Sequence, residues 1–380
     1  MNLFDVYPLI DVTPVKASGA NIWDEAGNQY LDLYGGHAVI SIGHTHPHYV
    51  KRITEQLNSI AFYSNSVKIP IQKDYAMHLG RLSGYPDYEL FLCNSGAEAN
   101  ENALKLASFE TGKDTFIAFK GAFHGRTSGV VAITDNPKIV APFNSHHKVH
   151  FISFGDLEAV EKALQNGQIA GIIIEGIQGV NGIRVPDGEF VTSLSDLANR
   201  YGAKLILDEV QSGFGRTGKF FAHQWIAGLR PDLITVAKGM GNGFPIGGVL
   251  INPEIKASYG LLGTTFGGNH LACAAGLAVL EVIESEKLMD NALIQGEWLM
   301  EQLSSNAGIT DIRGKGLMIG LDLDREAGPV RSELVHKFRI FTGSSAGKNT
   351  IRLLPPLSIG QEALHLFLES LQAVLTLTEA

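Results

Sequence analysis

Three short apolar runs in the middle of the chain each stop on a charged residue, and the stops are evenly spaced. Gly-Ile-Ile-Ile ends at Glu175, Leu-Ile-Leu at Asp208, and Leu-Ile-Thr-Val-Ala at Lys238. They lie 33 and 30 residues apart, about one strand–helix–strand unit each. Between the first two runs, "EFVTSLSDLANRY" (189–201) has a helical pattern. Strands separated in this way belong to a parallel sheet. Its three charges then share one carboxyl edge, where ligands of open α/β sheets bind. A single charge at a strand end is ordinary; three in register, one of them a lysine closing an apolar run, point to a site.

The flanking sequence extends the pattern. "YELFLC" (88–93), "DTFIAF" (114–119) and "VHFISF" (149–154) read as strands, and "GAEANENALKLASF" (96–109) and "DLEAVEKALQ" (156–165) as helices. A mainly parallel sheet covered on both faces follows. After about residue 268 the texture changes to a long helix, "HLACAAGLAVLEVIESEKL", then a hairpin, "ITDIRGKGLMIGLDLD". The last helix is expected to open with a Ser358–Gln361 capping box. "ANIWDEAGNQYLDLYGG" is a second hairpin near the start. The expected fold class is α/β: a large domain over 51–268, and a smaller α+β domain from 1–50 and 269–380.

Composition narrows the function. A net charge of −9 gives no electrostatic case for nucleic acid. Cys93 and Cys273 make no disulfide framework and suit a reducing cytoplasm. No signal peptide and no bilayer-spanning run is expected. Gly213 to Lys219 has the spacing of a nucleotide-binding loop, but Phe220 stands where Ser or Thr would hold magnesium. A glycine-rich surface loop is the better reading.

A fourth strand end adds chemistry. "LFLC" runs into "NSGAEANE", and Ser95 to Glu98 has the capping-box pattern. Free N–H groups at such a helix start make an anion site, and Gly96 permits close approach. An anion cradle, a carboxylate and a lysine on one edge form the set that pyridoxal phosphate uses, with the lysine for the Schiff base and the acid for the ring nitrogen.

The chain resembles the class III aminotransferases, among the fold-type I pyridoxal phosphate enzymes. The resemblance rests on "NSGAEANENALKLA" (94–107), "GAFHGRT" (121–127), "LILDEVQSGFGRTG" (205–218), "AKGMGNGFPIGG" (237–248) and "TTFGGN" (264–269). "RGKGLMIG" (313–320) and "IRLLPPL" (351–357) are most similar to the acetylornithine branch. The resemblance implies roles. Lys238 carries the cofactor and shuttles the proton, and Asp208 holds the ring nitrogen. Val210 and Phe123 cover the two ring faces, and Gln211 bonds the phenolic oxygen. Ser95, Gly96 and Ala97 hold the phosphate, with Thr265 from a second subunit, which implies a homodimer. Arg126 grips a substrate carboxylate; Arg352 and Glu175 are further substrate-side residues. Glu209 is read as structural. His44, His46 and His48 suggest a metal by spacing, but the family has a similar turn without one, so no metal is expected. The implied reaction moves the terminal amino group of an N-acylornithine to 2-oxoglutarate, in arginine synthesis. N-succinylornithine, ornithine and 4-aminobutyrate are alternative donors, and a glutamate-semialdehyde aminomutase is an alternative reaction. One departure stands out: where the family has a second glutamate five residues after Glu175, this chain has Val180.

Overall fold

The computed structural model describes residues 1–377. The chain opens with β1 (Pro14–Ser18), β2 (Asn21–Asp24) and β3 (Gln29–Asp32), the last two forming the expected hairpin. The large sheet follows: β4 (Glu89–Cys93), β5 (Thr115–Phe119), β6 (Lys148–Ile152), β7 (Ile169–Glu175), β8 (Lys204–Asp208), β9 (Leu233–Val236) and β10 (Gly247–Ile251). Its order is β4-β10-β9-β8-β7-β5-β6. The five strands from β9 to β6 are parallel, as the spacing implied. β10 was not foreseen, and it runs antiparallel to both its neighbours. Two reversals in succession turn β4 back into line, so its carboxyl end meets the same edge as those of β7, β8 and β9.

Side chains alternate across the sheet as the pleat requires. Ile117, Phe119, Ile172, Ile174, Leu205 and Leu207 pack with Phe190, Leu194 and Leu197 of helix Gly188–Tyr201. Phe116, Ala118, Ile173 and Ile206 pack with Ala99, Ala103 and Leu106 of helix Gly96–Thr111 on the other face. Both layers are sealed, which is why these strands read as unbroken apolar runs. Each fully buried aliphatic side chain here is worth about 1.5–3 kcal/mol over exposure.

β11 (Ile309–Lys315) and β12 (Met318–Leu323) make the second hairpin. β13 (Ile340–Phe341) pairs with β3, and β14 (Thr350–Leu353) pairs with β12. The smaller α+β part is thus built from both ends of the chain. Helix His270–Ser285 leaves the sheet and packs on helices Pro47–Ser59 and Pro70–Ser83. Among the described residues, no helix is long and apolar enough to cross a membrane.

Two local expectations are corrected. The last helix starts at Gln361 itself, and the Ser358 hydroxyl donates to the Ile42 carbonyl at 3.4 Å, so the capping box does not form. The segment Gly213–Gly218 is no surface loop. Gly213–Thr217 are buried, Gly218 is half-buried and only Lys219 is exposed; Arg216 is 2% exposed and donates to the carbonyls of Leu317 and Pro355. Burial pushes the Arg216 pKa down to about 9.

Candidate active site

Asp208 lies directly across from Glu175 on β7 and from Thr235 on β9. Lys238 follows three residues after Thr235. The strand-end charges therefore meet, in a cavity of about 420 Å³. Ser95, Gly96, Ala97, Phe123, Arg126, Glu175, Asp208, Val210, Gln211 and Lys238 all line it.

The cradle comes from the entry to helix Gly96–Thr111. Ser95 is its N-cap, and its hydroxyl accepts from Glu98 N at 3.2 Å. The Glu98 carboxylate turns back one residue further than the box pattern requires, to Asn94 N at 2.8 Å. Among the described residues, no protein acceptor takes the N–H groups of Ser95, Gly96 or Ala97. A Cβ on Gly96 would sit 2.6 Å from Val210 Cγ1, so only glycine fits there.

Asp208 is 5% exposed and heavily bonded. Its Oδ2 accepts from Asn100 Nδ2 and His124 Nδ1, both at 2.7 Å, and its Oδ1 accepts from Val210 N at 3.0 Å. Neither Asn100 nor His124 was singled out from the sequence. Lys238 holds a left-handed backbone, φ 47°, which is costly for a residue with a side chain and recurs at functional sites. The N-terminal segment clamps it. The Ser41 hydroxyl donates to the Gly239 carbonyl at 2.7 Å. Asn242 accepts from Ser41 N at 2.8 Å and donates to the Gly43 carbonyl at 2.9 Å. Burial lowers the Lys238 pKa, with Asp208 and Glu175 opposing the shift. Glu175 accepts from Phe123 N and Gly179 N, both at 3.0 Å, and burial pushes its pKa up to about 7.

A cradle for an anion, a buried carboxylate and an amine of lowered pKa now share one cavity. The sequence model described as aminotransferase class-III matches residues 5–375. The chain belongs to the class III aminotransferases.

The acetylornithine aminotransferase of Archaeoglobus fulgidus is 40% identical over 94% of this chain and 94% of its own length. Two solved structures superpose along nearly the whole chain. One is acetylornithine aminotransferase from Elizabethkingia anophelis, with TM-score 0.82, 28% identity, and 97% and 95% of the two chains covered. The other is ornithine aminotransferase from Toxoplasma gondii, described with pyridoxal phosphate in its active site, with TM-score 0.89, 27% identity, and 98% and 93% covered.

Pyridoxal phosphate is the cofactor of this aminotransferase, and the residues present fit it. The free N–H groups of Ser95–Ala97 suit a phosphate, and the position that Gly96 keeps open would close with any side chain. Two expected residues fall outside the cavity wall. Thr265 is exposed, whereas its neighbour Thr264 accepts from Asn94 Nδ2 at 3.3 Å. Arg352, 3% exposed, stands behind Gln211, with Nη1 3.4 Å from Gln211 Oε1. Its Nε donates to the Ser344 carbonyl, and among the described residues no carboxylate lies within ion-pair distance. Burial lowers its pKa. Val180 lines the cavity, and its carbonyl accepts from Ala346 N at 2.9 Å, in the same loop that holds Arg352. Gln211 Nε2 donates to the His37 carbonyl at 3.1 Å.

Glu209 points into the protein and is 0% exposed. It accepts from Ser212 Oγ at 2.6 Å, from the backbone N–H groups of Ala222 and His223, and from His223 Nδ1 at 2.8 Å. It ties down the turn after β8. His44, His46 and His48 do not converge: each meets a different carboxylate, Asp32, Glu286 and Glu281.

Proposed function

We propose that this aminotransferase moves the terminal amino group of N-acetylornithine to 2-oxoglutarate, in two alternating half-reactions of arginine synthesis. The reading is carried by the convergence of Lys238, Asp208 and the Ser95–Ala97 cradle on one cavity, in a chain 40% identical to an acetylornithine aminotransferase. Pyridoxal phosphate supplies an electron sink and carries the amino group between half-reactions. The protein does the rest. Ser95, Gly96 and Ala97 hold the phosphate, and Asp208 accepts the hydrogen bond of the ring nitrogen. Phe123 and Val210 cover the ring, and Gln211 takes the phenolic oxygen. Lys238 would hold the cofactor through Nζ, and its free amine would serve as the base that moves a proton at the substrate carbon. Its lowered pKa enlarges the neutral fraction that such a base needs. Arg126, exposed at the cavity wall, offers a planar fork to a carboxylate.

A second reading, an N-succinylornithine donor, is favoured by one observation. Arg126 and Arg352 both lack a carboxylate partner among the described residues; Arg126 lines the cavity and Arg352 stands behind Gln211, so a donor with two carboxylates would use both only if Gln211 gave way. The reading includes a homodimer in which Thr265 serves the partner's site. Its support is that Thr265 is exposed, beside exposed Phe266, which contacts Phe62. It also includes a cytoplasmic location, in keeping with two cysteines that remain free thiols.

The test is a donor panel with purified holoenzyme and 2-oxoglutarate. N-acetylornithine, N-succinylornithine, ornithine and 4-aminobutyrate are compared by kcat/KM for glutamate formation. One of the acylated donors is expected to exceed ornithine and 4-aminobutyrate by at least tenfold. A higher value for either unacylated amine would overturn the proposal, and turnover of glutamate semialdehyde without a keto acid would point to an aminomutase.

A further inference from the structure

Arg126 makes no hydrogen bond of its own among the described residues, and it is exposed at the cavity wall. Its place is therefore set by its neighbours, and these are tied to the cradle helix, Gly96–Thr111. On one side, Asn100 Nδ2 donates to the His124 carbonyl at 2.9 Å. Gly125 packs so closely that an added Cβ would lie 2.9 Å from Ala97 Cβ. On the other side, the next residue of that helix, Glu101, accepts three bonds. Its Oε1 takes Gly129 N at 2.8 Å, and its Oε2 takes Val130 N and Thr127 Oγ1, both at 3.0 Å.

These bonds form a cap supplied from another helix. Helix Ser128–Ala132 has Thr127 as its N-cap residue, directly after Arg126. A threonine there ordinarily accepts from the N–H groups two or three residues on. Thr127 makes no such bond, and its hydroxyl donates to Glu101 instead. Glu101 takes both of those N–H groups. Gly129 allows the approach, since a Cβ there would sit 3.0 Å from Glu101 Oε1. A carboxylate committed to backbone donors is held off the guanidinium. Among the described residues, no carboxylate lies within ion-pair distance of Arg126.

We propose that Glu101 is a positioning residue for substrate recognition: by capping helix Ser128–Ala132 it fixes Arg126 at the cavity wall and leaves the guanidinium free for a substrate carboxylate. The proposal rests on the reading that Arg126 is that carboxylate's partner. It assigns Glu101 no contact with substrate or cofactor. Loss of the cap weakens the grip on a carboxylate equally in the ground state and the transition state, so KM rises while kcat and the cofactor spectrum hold.

Holoenzymes of Glu101→Gln, Glu101→Gln/Thr127→Asn and Arg126→Lys are compared with wild type by absorption spectrum, kcat and KM for 2-oxoglutarate and the preferred acylated donor. Glutamine keeps one acceptor oxygen but sets an amide NH2 against the remaining donors. Glu101→Gln is expected to raise both KM values by about 5- to 30-fold, with kcat within about twofold and an unchanged spectrum. Asparagine at position 127 caps the helix from its own N-cap, whose backbone is already extended as such a cap requires. The double variant is therefore expected to return both KM values to within about threefold of wild type. Unchanged KM in Glu101→Gln, a loss confined to kcat, or a double variant no better than the single one would overturn the role. If Glu101→Gln does not fold, the double variant decides alone, since a raised KM there refutes the proposal. If Arg126→Lys leaves both KM values unchanged, the reading of Arg126 fails and the role of Glu101 fails with it. If only Arg126→Lys raises them, that reading stands and Glu101 is structural.

Discussion

Gly96→Ala separates two opposing effects at the start of the cradle helix. Gly96 does not have a positive φ, so alanine meets no backbone strain. In a helix interior that change favours the helix by up to about 1 kcal/mol, and less at the first position. Against this stands the new methyl group, which would lie 2.6 Å from Val210 Cγ1 and 3.0 Å from Cγ2. Neither distance is tolerable, so the helix start or Val210 must move by several tenths of an ångström. Overpacking of this kind costs about 1–3 kcal/mol. The shift falls on the N–H groups read as the phosphate site and on the side chain read as lying under the ring. The clash exists without the cofactor, so Tm of the cofactor-free protein is expected to fall; because the shift also displaces the cradle, cofactor affinity is expected to drop as well, by roughly 5- to 100-fold, at about 1.4 kcal/mol per tenfold. A thermal melt measures the first, and equilibrium dialysis of pyridoxal phosphate the second. Val210→Ala removes both close atoms and leaves Cβ at 3.4 Å, an ordinary contact. The double variant should recover about 1–2 kcal/mol of the binding lost, beyond the sum of the single changes. Effects that add to within about 0.5 kcal/mol would mean that the two residues do not compete for this space, and would refute the steric argument.

Other perturbations test neighbouring residues. Lys238→Ala should abolish turnover and the borohydride-trappable adduct while pyridoxal phosphate still binds through the cradle; near-normal turnover would remove Lys238 from the mechanism. Val180→Glu brings a carboxylate to the wall nearest the Arg352 loop. At an effective dielectric near 20, a pair about 4 Å apart gains roughly 4 kcal/mol before desolvation. Donation by 4-aminobutyrate or ornithine should therefore rise at least several-fold in kcat/KM relative to the acylated donor, and an unchanged ratio would count against the assignment. Glu175 gives a pH signature. Its pKa is raised to about 7 from 4.5, so the folded state binds the proton more tightly. The wild-type protein should lose about 3 kcal/mol of stability as pH rises from about 4.5 to 7, with no further loss above. Glu175→Gln removes this slope, so its Tm relative to wild type should climb between pH 5 and 8; a constant difference would show that the carboxyl titrates normally.

The chain announced the site's frame more clearly than its lining. Glu175, Asp208 and Lys238 were legible because each ends a run of residues buried on both faces, and a parallel sheet puts such ends together. β10 escaped because Gly247–Ile251 follows directly on a glycine-rich motif and its run is short. The segment Gly213–Gly218 looked like surface because glycine, arginine and threonine are polar or small. Its burial depends on carbonyls of Leu317 and Pro355, over 100 residues away. His124 and Asn100 reach Asp208 across 84 and 108 residues, and no local spacing reports such a contact. A faint signal existed for Asn100, an amide in mid-helix on the same face as Ala99 and Ala103, where an apolar residue is the rule.

The clamp on Lys238 has a consequence for how the protein is made. Residues 41–43 hold the backbone on which the lysine stands, yet the strand just before them, β3, completes its pairing only with Ile340 and Phe341. During synthesis, the first fifty residues must therefore wait for a strand that leaves the ribosome some 300 residues later. At about 5–20 residues per second that delay is on the order of 15–60 s. The large sheet can assemble in the meantime, with its cavity formed but its lysine unsecured. A nascent or truncated chain lacking β13 thus lacks one of the strands that hold the segment bonded to Gly239 and Asn242, the residues through which the lysine's backbone is supported.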